Sequence, residues 1–338
     1  MKITAVLMSI ILFSGFSKAP ENPVRANMPI ISFEGNTQGT TYHIKYRDGK
    51  QRQLKRQIDS ILTTIDQCLS TYRPDSEISA FNRTALGQSQ RFQFRLPYFY
   101  PVLYRSKAVY DATDGAFDPT VAPFIEVFRR RKRQPTAPPE NIDSLLQFVG
   151  FRYIDFDSVS VRKSKDNIRL DFDGIAQGYT VDVLTAYLDA LSIQNYLVEI
   201  GGEVRCRGKK GEEQAWTLGI ENPLRPGELQ ATVGLVDRAM ATSGNYRNHY
   251  QQGGRTYNHI INPKTGFSEQ DSLLSVTVFA PDAATADAYA TAFVVMGVEQ
   301  TKRFVMAQPL LDVYLIYQRA TGDSGIFYSE GIKNYIKR

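Results

Sequence analysis

The apolar positions of this chain recur with two periods, and the helical one shows most clearly just after a glycine turn at mid-sequence. Val181, Leu184, Leu188 and Leu191 stand at i, i+3, i+7 and i+10, the spacing of one buried helix face. Immediately upstream, Ile168–Phe172 reads as a short strand that breaks at Asp173-Gly174 and turns directly into that helix. A strand, a glycine turn and a helix start in succession predict free backbone N–H groups and a positive helix end at one spot. A phosphate or pyrophosphate binds readily there. Gly174 and Gly178 permit close approach to the backbone, and Asp171 and Asp173 add two acceptors. Carboxylates beside a phosphate imply an intervening metal ion. An ordinary strand-to-helix turn with an aspartate cap fits the same residues and, taken alone, fits them better.

The same two periods organise the rest. Ile30–Glu34 and Thr40–Tyr46 predict strands around a polar turn, and Leu54, Ile58, Ile61, Leu62, Ile65 and Leu69 mark an amphipathic helix that stops before Pro74. A short helical turn follows toward Phe81, then a helix over Pro97–Thr113, a turn at Ala116–Thr120 and a helix over Asn141–Phe148. Ser158–Lys163 and Ile168–Phe172 are expected to form a hairpin, as are Tyr196–Ile200 and Glu203–Arg207 across Gly201-Gly202. Strands are predicted near Thr217–Ile220, Ala231–Val236, Asn248–Gln251, Asn258–Ile261 and Leu274–Phe279. Helices over Ala283–Met296 and Glu299–Met306, the strand Leu311–Gln318 and a hairpin at Thr321–Gly325 complete the chain. Strands and helices mix irregularly, which predicts an α+β fold of mixed sheets with packed helices.

Composition changes this picture little, since the hydrophobic fraction of 42% is that of an ordinary globular protein. The length suits one large domain or two intimately joined ones. The net charge of +5 is concentrated in Arg129–Arg133, which Gln134-Pro135 and the prolines beyond place on an exposed, solvated loop; a basic landing patch is the lesser reading. Basic residues are not interleaved with aromatics as nucleic-acid binding requires. Residues 1–19 carry Lys2, the apolar run Ile3–Phe16 and Ser17-Lys18-Ala19, a secretory signal peptide with cleavage expected after Ala19. With no cysteine at its end, it does not predict a lipid anchor. The mature chain is expected to be exported to the periplasm, soluble or at most peripheral at the membrane. Cys68 and Cys206 are expected to be buried and reduced rather than bridged.

Three places could do chemistry. Asp287 and Thr291 lie four apart on one predicted helix face and offer hard oxygen ligands suited to magnesium; an aspartate complementing the helix dipole and a threonine bonded back to its own helix is the plainer alternative. His259 could be a general base or a structural hydrogen-bonding residue. With three histidines in the chain, a zinc cluster is excluded. Tyr72 could stack on a flat ring or cap the preceding helix. No Ser/His/Asp spacing, dinucleotide glycine fingerprint or Walker loop is present.

The order of these stretches is more informative than any one of them. LSTYRPDSEISAFN (from Leu69), DGAFDPTVAP (from Asp114), LDFDGIAQGYTVD (from Leu170), VEIGGEVRCRG, ATSGNY, HIINPKTG and ATADAYATAFVVMG follow one another through nearly all of the mature chain. Together they resemble the ApbE family of FAD:protein FMN transferases. The resemblance implies a magnesium-dependent enzyme that attaches the FMN half of FAD to a threonine hydroxyl of an acceptor protein and releases AMP. It implies Asp287, Thr291 and the Gly174 carbonyl as metal ligands and Tyr72 stacked on the flavin. Ala116, Phe117 and Asp118 would line the flavin site, with Asp171 and Gln177 toward the adenosine, Gln38 at the entrance, Ile260 nearby and His259 acting on the attacking hydroxyl. The chain departs from the usual pattern at Gln177, Asn262, Asn245, Gln38 and Asp173, which bears on cofactor contacts and removes no implied metal ligand. An FAD pyrophosphatase and a flavin-binding protein without turnover are the rival readings.

Overall fold

The computed structural model describes residues 28–85, 90–133, 141–211, 214–244, 249–252, 255–268 and 272–337. The expected signal peptide, Asn245 and Asn248 lie outside these. β1 (Ile30–Thr37) and β2 (Thr40–Arg47) form an antiparallel hairpin, and β2 turns Tyr42, Ile44 and Tyr46 to the core on alternate positions. α1 (Lys55–Leu69) buries Ile58, Leu62, Ile65 and Leu69 on one stripe. α2 (Glu77–Arg83) starts where the Ser76 hydroxyl accepts the Ser79 N–H. β3 (Phe92–Gln93), α3 (Phe99–Ala112), α4 (Ala122–Arg133) and α5 (Ile142–Leu146) precede β4 (Ile154–Phe156) and β5 (Ser160–Lys163). After α6 (Ala176–Ala190) come β6 (Asn195–Ile200), β7 (Glu203–Arg207), β8 (Trp216–Glu221), β9 (Leu229–Leu235), β10 (Ala239–Gly244), β11 (His249–Gln252) and β12 (Arg255–Asn258). β13 (Leu273–Ala280), α7 (Ala283–Met306), β14 (Asp312–Gln318), β15 (Ser324–Tyr328) and β16 (Ile336–Lys337) close the chain.

Eight strands form one sheet in the order β1-β2-β6-β7-β10-β13-β14-β15. Its neighbours all run antiparallel. Its central strands are apolar on both faces because both are covered. Val198, Val278, Val313 and Leu315 meet α1, α6 and α7, while Leu197, Phe279, Tyr314 and Ile316 meet Trp216, Ile220 and Val233 of the small sheet β16-β9-β8. A second apolar core lies beyond α6 and α7, where Phe81, Phe99, Phe151 and Phe172 pack against Ala284, Ala288 and Ala292 of α7. The alanines let α7 run between two cores. Mixed helices and antiparallel sheets make the fold α+β, as expected.

Three expectations need correcting. Arg129–Arg133 end a helix instead of forming an exposed loop, because Phe124, Val127 and Phe128 supply α4 with a buried stripe. Ile168–Phe172 is not a strand, and β5 pairs with β3 and β4. Side chains take the place of a partner strand: Asn82 donates to the Leu170 carbonyl and accepts its N–H, both at 2.8 Å, and the buried Lys163 ammonium donates to the carbonyls of Phe81, Asn82 and Ile168. The strand expected over Asn258–Ile261 ends at Asn258, whose side chain accepts the Ile260 N–H and turns the backbone. Helices were expected on either side of Gly297, and that residue does break α7, with φ 72° and ψ −178°. Cys68 and Cys206 are buried and unbridged.

Candidate active site

A cavity of about 680 Å³ opens where α4, α6, α7 and the β6–β7 hairpin converge. The turn at Asp173-Gly174 forms part of its floor. Asp171 is tied down by donating its N–H to the Pro119 carbonyl at 2.7 Å, and its carboxylate accepts the Asp173 N–H at 2.9 Å. Burial, reinforced by the neighbouring Asp173, pushes the Asp171 carboxyl well above the usual range, and Arg129 opposes this. Of the free N–H groups expected at the start of α6, three are already engaged. Ile175 and Ala176 both donate to the Phe172 carbonyl, and Gly178 donates to Asp287 Oδ2 at 2.9 Å. An aspartate cap is absent too, since Ile175 occupies the cap position without a side-chain bond.

α7 crosses this floor. Gly178 marks the crossing, for a Cβ there would lie 2.3 Å from the Ala283 carbonyl oxygen and 2.7 Å from Asp287 Cβ. The first turn of α7 is satisfied elsewhere: Asp182 accepts the N–H groups of Ala283 and Ala284, and Asp282 accepts that of Thr285. Asp287 is therefore not an N-terminal cap. Burial and the nearby Asp182 raise its pKa, so its ionised form lacks a compensating cation among the described residues. Thr291, one turn on, makes no hydrogen bond back to its helix, unlike Thr113 and Thr180. Its hydroxyl lines the cavity and would stand 3.0 Å from a Cβ on Gly174. Asp287, Thr291 and Gly174 thus meet at one end of the cavity as oxygen donors of hard type.

A matching family model, described as the ApbE family, covers residues 38–315. The chain belongs to the ApbE family. It is 35% identical over 314 residues to the FAD:protein FMN transferase of Haemophilus influenzae, across 87% of this chain and 88% of that one. It is 32% identical over 331 residues to the enzyme of the same name from Escherichia coli, across 95% and 93%. Its fold is similar to that of the flavin transferase ApbE from Vibrio cholerae, with TM-score 0.79, 31% identity and coverage of 91% and 100%. The apo flavinyl transferase ApbE of Pseudomonas stutzeri gives TM-score 0.79 at 27% identity, with 91% and 97% covered.

Within this ApbE fold, the residues singled out in the sequence fall as follows. Tyr72, Ala116, Phe117, Asp118, Asp171, Gly174, Gln177, His259, Ile260, Asp287 and Thr291 all line the cavity. Gln38 does not. Its amide donates to Thr180 at 2.7 Å from the β1–β2 turn, which anchors that turn on α6. Asp118 serves as an anchor, with one oxygen taking the Thr120 N–H and hydroxyl and the other the Phe151 N–H, while burial raises its pKa to about 6. Gln177 rests against the Gly201 turn, where a Cβ would meet its Oε1 at 2.9 Å and φ is +64°. Asn262 still closes its turn, accepting the Lys264 N–H at 2.8 Å. Sequence reasoning missed Glu203, Thr242 to Gly244 and, above all, Arg129. The Arg129 guanidinium lies 4.5 Å from the centre of the Tyr72 ring and donates to Asp173 at 2.7 Å.

Proposed function

We propose that this chain is an exported FAD:protein FMN transferase that moves FMN from FAD to a threonine hydroxyl of an acceptor protein and releases AMP. The observation that carries the reading is the junction of Asp287, Thr291 and Gly174, where a carboxylate oxygen and a hydroxyl unengaged by the described residues face the cavity floor. Among the described residues no three or more His, Cys, Asp or Glu are grouped so as to hold a metal ion, so the cation proposed here draws on few such ligands. Magnesium suits that, since it is commonly held by one or two carboxylates together with substrate phosphate oxygens. Asp287, Thr291 and the Gly174 carbonyl would hold it, and when bound it neutralises charge on the diphosphate.

The chain's own groups do the rest. Tyr72, 69% exposed at the cavity wall, offers its ring to the flavin, with Phe117 opposite the Gly174 turn. His259 takes the proton of the acceptor threonine as its oxygen bonds to the flavin-side phosphorus. The phosphorus–oxygen bond to AMP breaks in line. Export is supported by the signal-peptide pattern of residues 1–19.

The test is AMP release from FAD by the purified mature protein with magnesium, with and without a threonine-bearing acceptor domain. Acceptor-dependent AMP and an acceptor heavier by FMN are expected. AMP with free FMN and no acceptor would instead identify a pyrophosphatase, and FAD binding without AMP a carrier. Full magnesium-dependent turnover by Asp287→Ala would sink the metal assignment, and an unchanged transfer rate in His259→Ala would remove its role as base.

A further inference from the structure

The basic run of the sequence lies on a cavity wall. From Val121 just before α4, the lining residues step through Ile125, Phe128, Arg129, Lys132 and Arg133, spacings that keep them on one helical face. The face is apolar along its first part and cationic along its last turn. Among the described residues, these three supply every lysine and arginine side chain of the lining, against the carboxylates of Asp118, Asp171, Asp173, Glu203 and Asp287. Basic residues in a last turn complement the helix dipole, which accounts for their presence but not for three of them sharing the cavity face.

We infer that this face of α4 is a binding wall for the dinucleotide substrate, with Arg129, Lys132 and Arg133 holding its diphosphate and Arg129 the principal contact; the inference rests on the proposed function. Two observations carry it. A dianionic diphosphate entering a cavity with five carboxylates needs cations, and at the start of α6 the N–H groups of Ile175, Ala176 and Gly178 are already engaged, which leaves that turn few donors, those of Gly174 and Gln177, and no full charge to offer. Arg129 is also held where an aromatic ring and the Asp173-Gly174 turn meet, over Tyr72 and bonded to Asp173 at 2.7 Å and Asp171 at 3.4 Å, both through one terminal nitrogen. A guanidinium has five N–H donors, so Arg129 can keep Asp173 and still present a donor to a phosphate oxygen. A flat ring with an anionic tail matches a wall that passes from Ile125 and Phe128 to three cations.

The experiment is a binding titration of the mature protein in EDTA, which prevents turnover, using FAD and riboflavin in parallel. Riboflavin carries the ring and no phosphate. Arg129→Gln is expected to raise the FAD Kd on the order of tenfold, the worth of a charge-assisted hydrogen bond, and to leave the riboflavin Kd unchanged. Arg129→Lys should recover part of the loss, and Lys132→Gln/Arg133→Gln, at the exposed rim, should flatten the salt dependence of FAD binding. Equal weakening of both ligands would show that Arg129 only shapes the pocket and would overturn the inference. So would unchanged FAD binding with a raised KM for the acceptor, which would assign the cations to an acidic acceptor segment. Wild-type protein that binds riboflavin no more weakly than FAD would overturn it as well. Wild-type protein that binds neither, in EDTA or with magnesium restored, would refute the proposed function itself.

Discussion

Gly178 joins stability and chemistry at one atom, and Gly178→Ala separates them experimentally. In an isolated helix the change would gain about 0.5–1 kcal/mol. Here the new Cβ would stand 2.3 Å from the backbone oxygen of Ala283, an atom that no side-chain rotation can move. α6 and α7 must part. Overpacking of this kind costs about 1–3 kcal/mol, and stretching the Gly178 N–H bond to the Asp287 carboxylate forfeits about 1.5–3 kcal/mol more. The net loss expected is therefore about 2–5 kcal/mol. Urea unfolding followed by circular dichroism measures it, with Gly49→Ala as the control because a Cβ there meets only the end of the Met28 side chain at 3.4 Å. The folded variant should also lose AMP release from FAD, since Asp287 moves with α7. A Gly178→Ala protein as stable as wild type, with Asp287-dependent turnover intact, would refute the tight crossing.

Other outcomes follow from buried polar groups. Arg52 holds the Asp48 carboxyl down to about 2, so the stability it contributes is full above its ordinary pKa and disappears as pH falls through 2. Asp48→Asn should cost on the order of 2 kcal/mol at pH 7 and only a small fraction of that at pH 2, where the carboxyl is half protonated; equal costs at both, by urea midpoint, would contradict this. Asn82→Ala leaves the Leu170 N–H and carbonyl without their partner and should cost about 2–3 kcal/mol while lowering turnover. A neutral result by denaturation would mean that water replaces the clamp. Burial raises the pKa of Cys68 and lifts that of Cys206 to about 12, so neither should react with a thiol reagent before unfolding, and a reductant should leave the melting temperature unmoved.

What could be read from the sequence is what repeats. The stripes of α1 and α6 and the alternation in β2 rest on periodic apolar residues, and the break at Gly297 falls between two separately expected helices. Five adjacent basic residues hid the period of α4, whose buried Phe124, Val127 and Phe128 lie just before the run. β10, reading Ala-Met-Ala-Thr-Ser-Gly, went unseen because it lies in the sheet with few of the bulky residues that signal a strand. The 168–172 segment was misread for the opposite reason: its apolar alternation is real, but Asn82 and Lys163 satisfy its backbone. At the site, the cavity gathered eleven of the twelve residues singled out beforehand and left Gln38 outside. The exception hydrogen-bonds to a neighbouring helix, a contact that no spacing in the sequence reveals.

The small side chains that let α7 thread between two apolar cores also set the order in which the molecule can become competent. Tyr72 and Gly174 are synthesised long before Asp287 and Thr291, and no shorter piece of chain contains the whole cavity floor. Contacts so distant along the chain are slow to form. An N-terminal fragment ending ahead of residue 283 carries no part of α7 and therefore lacks Asp287 and Thr291, without which the site is incomplete. A ligand seated against both Gly174 and Asp287 would be recognised only by the finished molecule and would stabilise it as a whole, making occupancy a report that the last helix has docked.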